Sequence, residues 1–323
     1  MKTIKYISYL ILLGFTSCIP YKEIDIQYLK KPESNIPSDF KKPIILINLY
    51  LNKKTSLKDK FECAVDSVAS EEAALSLKEN LLNSPWFQDS DIPILRYQRR
   101  DSSKYIKPLA WNTIKSLTSK DTADLVLSLE YMKVIESTDS YRTQNSESGY
   151  YYGYINAPIY CYWRIYDLTR KQIPNSYLYR DTLMWDKSDY VPVIIGNQLP
   201  GYFEASAYAG NECGQKYAMK IAPTWVDDKR KFFHIGSPEM VKAIEFVQKE
   251  QWVEAAVEWQ KVFASNKRKL CAKAAFNLAL ANEMLGQFDI SKAWLLKSRS
   301  YYPLLEVDEY EEKIDERIAN KIE

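Results

Sequence analysis

The chain is short of the residues on which most reactive centres are built. Its 323 residues hold a single histidine, His234. A zinc site, or a Ser-His-Asp or Cys-His arrangement, would have to run through that one side chain, and no second His or Cys stands near it at ligand spacing. Nine glycines supply neither a phosphate loop nor a dinucleotide fingerprint, and there is no G-x-S-x-G elbow. No metal and no cofactor is therefore expected. Charge of one sign is lacking too. The formal net charge is +2, and it falls to about zero once Lys2 and Lys5 are removed with the first seventeen residues. A nucleic-acid partner is not expected, because phosphate binding needs clustered excess cations. The basic run Lys229-Arg230-Lys231 follows Asp227-Asp228 and reads as a solvated junction.

What the chain does have begins at its amino end. Lys2 and Lys5 precede an apolar run from Ile7 to Phe15 that is too short to span a bilayer. Thr16 and Ser17, both small, then stand directly before Cys18. This stretch resembles the lipobox of bacterial lipoproteins, with Phe15 where Leu is usual. The resemblance implies a cut before Cys18 and acyl chains on it, and hence a membrane partner through Cys18 and a place in the cell envelope, with the outer membrane preferred. Ile19-Pro20 after the Cys is not an inner-membrane retention signal. Many Tyr (25) with abundant Lys, Ile and Asn fit an AT-rich genome of the Bacteroidota type. The remaining thiols, Cys63, Cys161, Cys213 and Cys271, show no C-x-x-C spacing, and the spacing chooses no disulfide pairing.

With 46% apolar and 27% charged residues the chain can build two cores. We expect a signal over 1–17, a lipidated Cys18 with a proline-broken tether over 18–41, an α/β domain over 42–225, a linker over 226–237, two helical repeats over 238–303 and a capping helix over 304–323. In the α/β domain Pro43 to Tyr50 is an apolar, β-branched run, the mark of a strand covered on both faces. Ser70-Glu71-Glu72 predicts a helix start. Strands are expected at 92–97 and 123–131, with a helix over 109–117 between them. Ile159, Cys161, Trp163 and Ile165 alternate with polar neighbours and pair with 177–185 as a hairpin. Ala205, Ala209, Cys213, Tyr217 and Ile221 mark a helix at i, i+4 spacing. The order, with Ala123-Asp124-Leu125-Val126-Leu127-Ser128 opening one strand and Trp163-Arg164-Ile165-Tyr166-Asp167 closing the hairpin arm, resembles envelope proteins such as the amino-terminal domain of TolB, the curli secretion lipoprotein and the lipoprotein activators of penicillin-binding proteins. It implies a fold with a mixed sheet and no particular activity.

Beyond Pro238, Asn277-Leu278-Ala279, Leu285-Gly286-Gln287-Phe288-Asp289 and Pro303 resemble the tetratricopeptide repeat, with Ala243, Trp252 and Ala255-Ala256 echoing the pattern earlier. The resemblance implies helix pairs with a groove lined by Met240, Ile244, Lys273, Asn277 and Leu280, in which Asn277 holds a peptide backbone. Val307, Tyr310, Ile314, Ile318 and Ile322 would cap the array. The function expected is a non-enzymatic, lipid-anchored scaffold or protein-binding module with a protein or peptide partner. The alternatives are a glycan-binding lipoprotein using Tyr150 to Tyr154, whose rings could stack on sugars, and an envelope hydrolase using Cys213 or a carboxylate pair. Cys213 falls on the apolar face of its helix, which favours packing over catalysis.

Overall fold

The computed structural model describes residues 21–34, 42–50, 57–99, 106–119, 123–142, 149 and 151–321. Cys18, Tyr150 and Ile322 lie outside that set. The fold is mixed, a sheet domain followed by helices, and the chain divides into two units. One runs from Lys31 to Thr224; the other joins the residues up to Lys30 with those from Trp225 onward.

The first unit holds a six-stranded sheet formed by β2 (Pro43–Tyr50), β3 (Ile94–Arg99), β4 (Leu125–Val134), β5 (Ser137–Arg142), β6 (Tyr151–Asp167) and β7 (Ser176–Asp189), in the order β3-β2-β4-β6-β5, with β7 on the other side of β6. β2 is parallel to both β3 and β4, and the β4, β5 and β7 pairings with β6 are antiparallel. The odd residues of β6, from Ile155 to Ile165, are buried under α1 (Leu57–Leu82) and α4 (Tyr202–Ile221), as their alternation predicts. Trp163 stacks on Tyr217 of α4 with ring centres 4.7 Å apart. The opposite face carries a smaller cluster of Leu46, Val126 and Tyr166 under α2 (Trp111–Leu117). A short helix, α3 (Pro192–Gln198), lies over Gly153 of β6 through Ile195.

Two expectations shift here. The helix expected to start at Ser70 starts at Leu57, because Val65, Ala69, Ala73, Leu77 and Leu81 form one continuous buried stripe. Ser70 is no cap: its hydroxyl donates to the Asp66 carbonyl one turn back. The polar β5 was not foreseen, since Ser137-Thr138-Asp139-Ser140 has no apolar alternation and owes its strand state to pairing with β6.

In the second unit β1 (Tyr21–Lys30) and β8 (Thr224–Phe233) form a two-stranded sheet. Gln27 bonds Asp227 and Asp25 faces Lys229, so numbers rise on one strand as they fall on the other and the pair runs antiparallel. The helices are α5 (Pro238–Gln248), α6 (Trp252–Phe263), α7 (Arg268–Met284), α8 (Phe288–Tyr301) and α9 (Glu306–Ala319). Residues 21–30 of the expected tether and 226–233 of the expected linker thus lie in strands of this unit. Ile24, Ile26 and Tyr28 supply the alternation that prolines and charges obscured, with Ile26 and Tyr28 buried. In β8 the even residues Arg230 and Phe232 turn inward while Trp225, Asp227 and Lys229 are exposed. Val307, Tyr310 and Ile314 of α9 are buried as expected for a cap, whereas Ile318 is exposed.

The crossing of α1 and α4 is close enough to test. A Cβ built on Gly210 would lie 2.2 Å from the Ala69 carbonyl oxygen, and one on Gly214 2.3 Å from that of Ala73. Gly214→Ala should therefore cost about 1–3 kcal/mol in urea unfolding by forcing the helices apart. Gly196→Ala in α3, with open space around it, should be neutral or slightly stabilising.

Candidate functional site

The groove inferred from the repeat pattern is filled by the chain's own strand. α7 is buried all round, from Cys271 and Ala272 through Ala274–Ala281 to Glu283, and a helix apolar on every side needs a cover on every side. α6 and α8 pack along it. Phe233 of β8 meets Phe276 edge to face at 5.2 Å, and Tyr310 of α9 reaches the same ring at 5.1 Å. Asn277, fully buried, accepts from the Phe233 N–H through Oδ1 at 2.8 Å and donates from Nδ2 to the Phe233 carbonyl at 2.7 Å. It does hold an extended backbone, but that backbone is internal. Met240 is buried with Sδ 3.6 Å from the Asn277 amide. Lys273 Nζ stands 5.1 Å from the Phe233 ring, Leu280 is buried and Ile244 is half-buried. Asn277 and Lys273 receive Phe233 of β8, with Met240 behind Asn277, which corrects the expectation of an open groove for a partner at Asn277.

A buried charge cluster seals the same strand. Glu283 of α7, wholly buried, accepts from Arg230 of β8 at 2.9 and 3.0 Å, from the Tyr310 hydroxyl at 2.6 Å and from Arg317 at 2.8 Å. Asp228 pairs with Arg230 and with Lys313. Burial opposes charge on Arg230, but its bonds to Glu283 outweigh that and raise its pKa. Burial, together with the Glu283 charge, pushes Tyr310 well above the usual phenol range. With every donor and acceptor matched, the cluster tolerates burial and fixes the register of β8 on α7 and α9.

The α/β unit has its own buried carboxylate, which sequence reasoning missed. Glu130 accepts from Asn48 Nδ2 at 2.9 Å and from the Tyr166 hydroxyl at 2.7 Å, with Arg164 at 3.4 Å and Arg99 at 3.6 Å. It shares the face of Val126 and Ser128 by plain strand alternation, and the bulge between Leu129 and Tyr131 then carries Met132 and Val134 to the opposite core. Tyr166 is pushed up to about 12 by burial and by the Glu130 charge. The signal was legible in principle, as Asn48, Glu130 and Arg164 are polar residues inside apolar strands. Among the described residues the titratable groups that touch Glu130 are Tyr166, Arg164 and Arg99.

The other expected residues are dispersed. Cys213 and Cys161 are buried, with the Cys161 thiol raised by burial and by the Cys213 sulfur beside it, so Cys213 is not placed to attack a substrate. Cys271 is buried and Cys63 half-buried. His234 is held below its ordinary range by burial and by the charges of Lys22 and Lys273. Tyr151–Tyr154 begin β6, where the Tyr152 hydroxyl bonds Asp186 and that of Tyr154 bonds Asp139. Among the described residues no group of His, Cys, Asp and Glu could hold a metal ion, and no helix is long and apolar enough to cross a membrane.

A family model for a domain of unknown function (DUF8603) matches residues 42–233. The chain belongs to this family. A second model, domain of unknown function DUF6340, matches residues 241–317. The DUF8603 match runs past the sheet unit and ends with β8, the strand that Asn277 holds. Among curated proteins none matches the chain. Among solved structures, the PelC dodecamer of Paraburkholderia phytofirmans aligns at 11% identity and TM-score 0.26, covering 62% of this chain and 98% of that one. A minor lipoprotein of Acinetobacter baumannii aligns at 13% identity and TM-score 0.23, covering 57% and 92%. At such scores nothing known of those proteins transfers to this chain.

Two measurements check the site. Asn277→Ala should destabilise the protein by about 1–3 kcal/mol for each Phe233 backbone group left unpaired, and Glu283→Gln by about 3–5 kcal/mol, because Arg230 and Arg317 lose the buried counter-charge they share and Arg230 keeps only Asp228. Both are read as urea midpoints, and unchanged midpoints would mean that β8 is not held there. The second concerns Glu136, between β4 and β5, whose carboxyl burial raises from 4.5 to about 7. Raising a carboxyl pKa on folding favours the protonated form. Its stabilising contribution is therefore complete below about pH 4.5 and is lost as pH rises toward 7. Glu136→Gln should remove that part of the pH dependence between 4.5 and 7.

Proposed function

We propose that this chain is a lipid-anchored envelope protein with a scaffolding rather than catalytic role, attached through acylated Cys18 to the outer membrane. Its tetratricopeptide-like helices clasp the strands that carry the anchor. The observation that carries this reading is the double hydrogen bond of Asn277 to Phe233. It grips β8, β8 is paired with β1, and β1 begins three residues after Cys18. A pull on the anchor is passed from β1 to β8 and so to the helices. The partner is a protein met by the outer helical surface, where Val241, Val253 and Val257 are about half exposed, and not by the filled groove.

Cells fed an alkyne fatty acid should label the wild-type protein, and Cys18→Ala should accumulate as unlabelled precursor. The same label on that variant would overturn the anchor. Photo-crosslinkers at Val253 and Val257 should give a discrete protein adduct in the intact envelope, and none at either position would overturn the scaffold.

A further inference from the structure

Where the anchor leaves the fold, the surface carries a second means of holding a membrane. This rests on the lipid-anchor reading above. Three peptide units separate Cys18 from Tyr21, a reach of about 10 Å. Tyr21 therefore stays near the bilayer whenever Cys18 is acylated. Tyr21 lies at the end of the helical unit where α7 and α9 start and α8 stops. Lys231 Nζ is 5.3 Å from its ring, Lys273 Nζ sits over Phe233, and Lys269 Nζ is 5.2 Å from the ring of Tyr302, just past α8.

This end is cationic and apolar together. Lys267, Arg268 and Lys269 are consecutive and exposed at the start of α7, whose first turn has no acidic residue and whose cap position makes no side-chain bond. Cations on the positive end of a helix dipole repel it. Lys22 and Lys273 add two charges close by: both lower the pKa of His234, and Lys269 lowers that of Lys273. Among the described residues none of these five cations is in an ion pair. The acids in the neighbourhood are Glu23 and Glu306, whose charges reach Lys231 and Lys273, Glu309, which pairs with Lys231, and Asp308, which pairs with Arg299 of α8. Beside the cations stand Tyr302, 39% exposed, and Leu305, 94% exposed, on either side of Pro303–Leu304. Leu305 buries almost nothing in the isolated fold, and with Tyr302 it adds apolar surface three residues along the chain from the Lys269–Tyr302 contact.

We propose that this end of the helical unit docks onto the anionic leaflet that bears the lipid anchor. Lys22, Lys267, Arg268, Lys269 and Lys273 meet phospholipid headgroups, and Leu305 and Tyr302 enter the interface. Acylation and a basic, apolar surface are the two signals that together make stable membrane attachment.

The test uses the mature chain, residues 18–323, with Cys18→Ser so that no acyl group is present. Vesicles of phosphatidylglycerol and phosphatidylethanolamine are compared with vesicles of phosphatidylcholine. The chain should sediment with the first and not the second, and lose binding in high salt. Charge reversal at Lys267, Arg268 and Lys269 together should weaken binding about a hundredfold, and Leu305→Asp about tenfold. Leu305→Trp should show a blue-shifted emission, quenched by brominated acyl chains, only with the anionic vesicles. Equal sedimentation with both vesicles, or binding indifferent to charge reversal, overturns the proposal. So does binding to an acidic protein with none to the vesicles. The fatty-acid label on the wild-type chain in cells is scored separately. A labelled chain that fails to bind vesicles overturns this surface and leaves the anchor standing, whereas an unlabelled wild-type chain overturns the anchor and, with it, the leaflet as occupant.

Discussion

The second unit depends on covering one helix. α7 is buried around most of its circumference, largely through apolar or small side chains, and helices α6 and α8 leave a side that water would otherwise meet. β8 closes that side. Closing it places backbone N–H and C=O groups against a dry surface, where an unpaired group is costly. Asn277 answers this cost at the most buried point by pairing both groups of Phe233. Glu283, six residues further along α7, answers it for the side chain of Arg230. The clasp is a consequence of the cover: a strand laid on a helix has no ladder partner on the helix, so side chains must supply the hydrogen bonds.

The connectivity follows from the same contact. β1 and β8 lie side by side although about two hundred residues separate opposed positions such as Gln27 and Asp227. The sheet unit is therefore an insertion between two strands of the helical unit, entered and left at neighbouring points. Insertions are tolerated when their ends are close, because closure entropy grows only slowly with loop length. The DUF8603 match ends with β8, so the family boundary and the physical boundary differ by one strand.

Much of the sheet unit was legible because its elements are locally consistent. Pro43–Tyr50 is apolar without interruption, β6 alternates over its core half, and Ala205 to Ile221 keeps i, i+4 spacing on α4. Ser70-Glu71-Glu72 misled for a reason that lies outside those residues. A cap motif starts a helix only where the preceding residues have nothing to bury, and here Val65 and Ala69 do. β1 and β8 were read as tether and linker because Asp227 to Lys231 looked solvated. Charge patterning cannot show that Arg230 finds Glu283 and Asp228 finds Lys313 on helices dozens of residues away.

The candidate site divides in the same way. That Asn277 grips an extended backbone could be read from its place in the repeat pattern, since a carboxamide offers one acceptor and two donors to a peptide unit. Which backbone it grips could not be read, because Phe233 and a foreign peptide present the same N–H and C=O. Proximity decides between them: a strand tethered a few residues before α5 competes at an effective concentration that a free ligand must exceed, and it brings the Arg230–Glu283 contact as well. A partner peptide would have to break that buried pair before reaching Asn277. The inner groove is therefore closed by the chain's own strand, and it holds β8, and β1 through β8, in register.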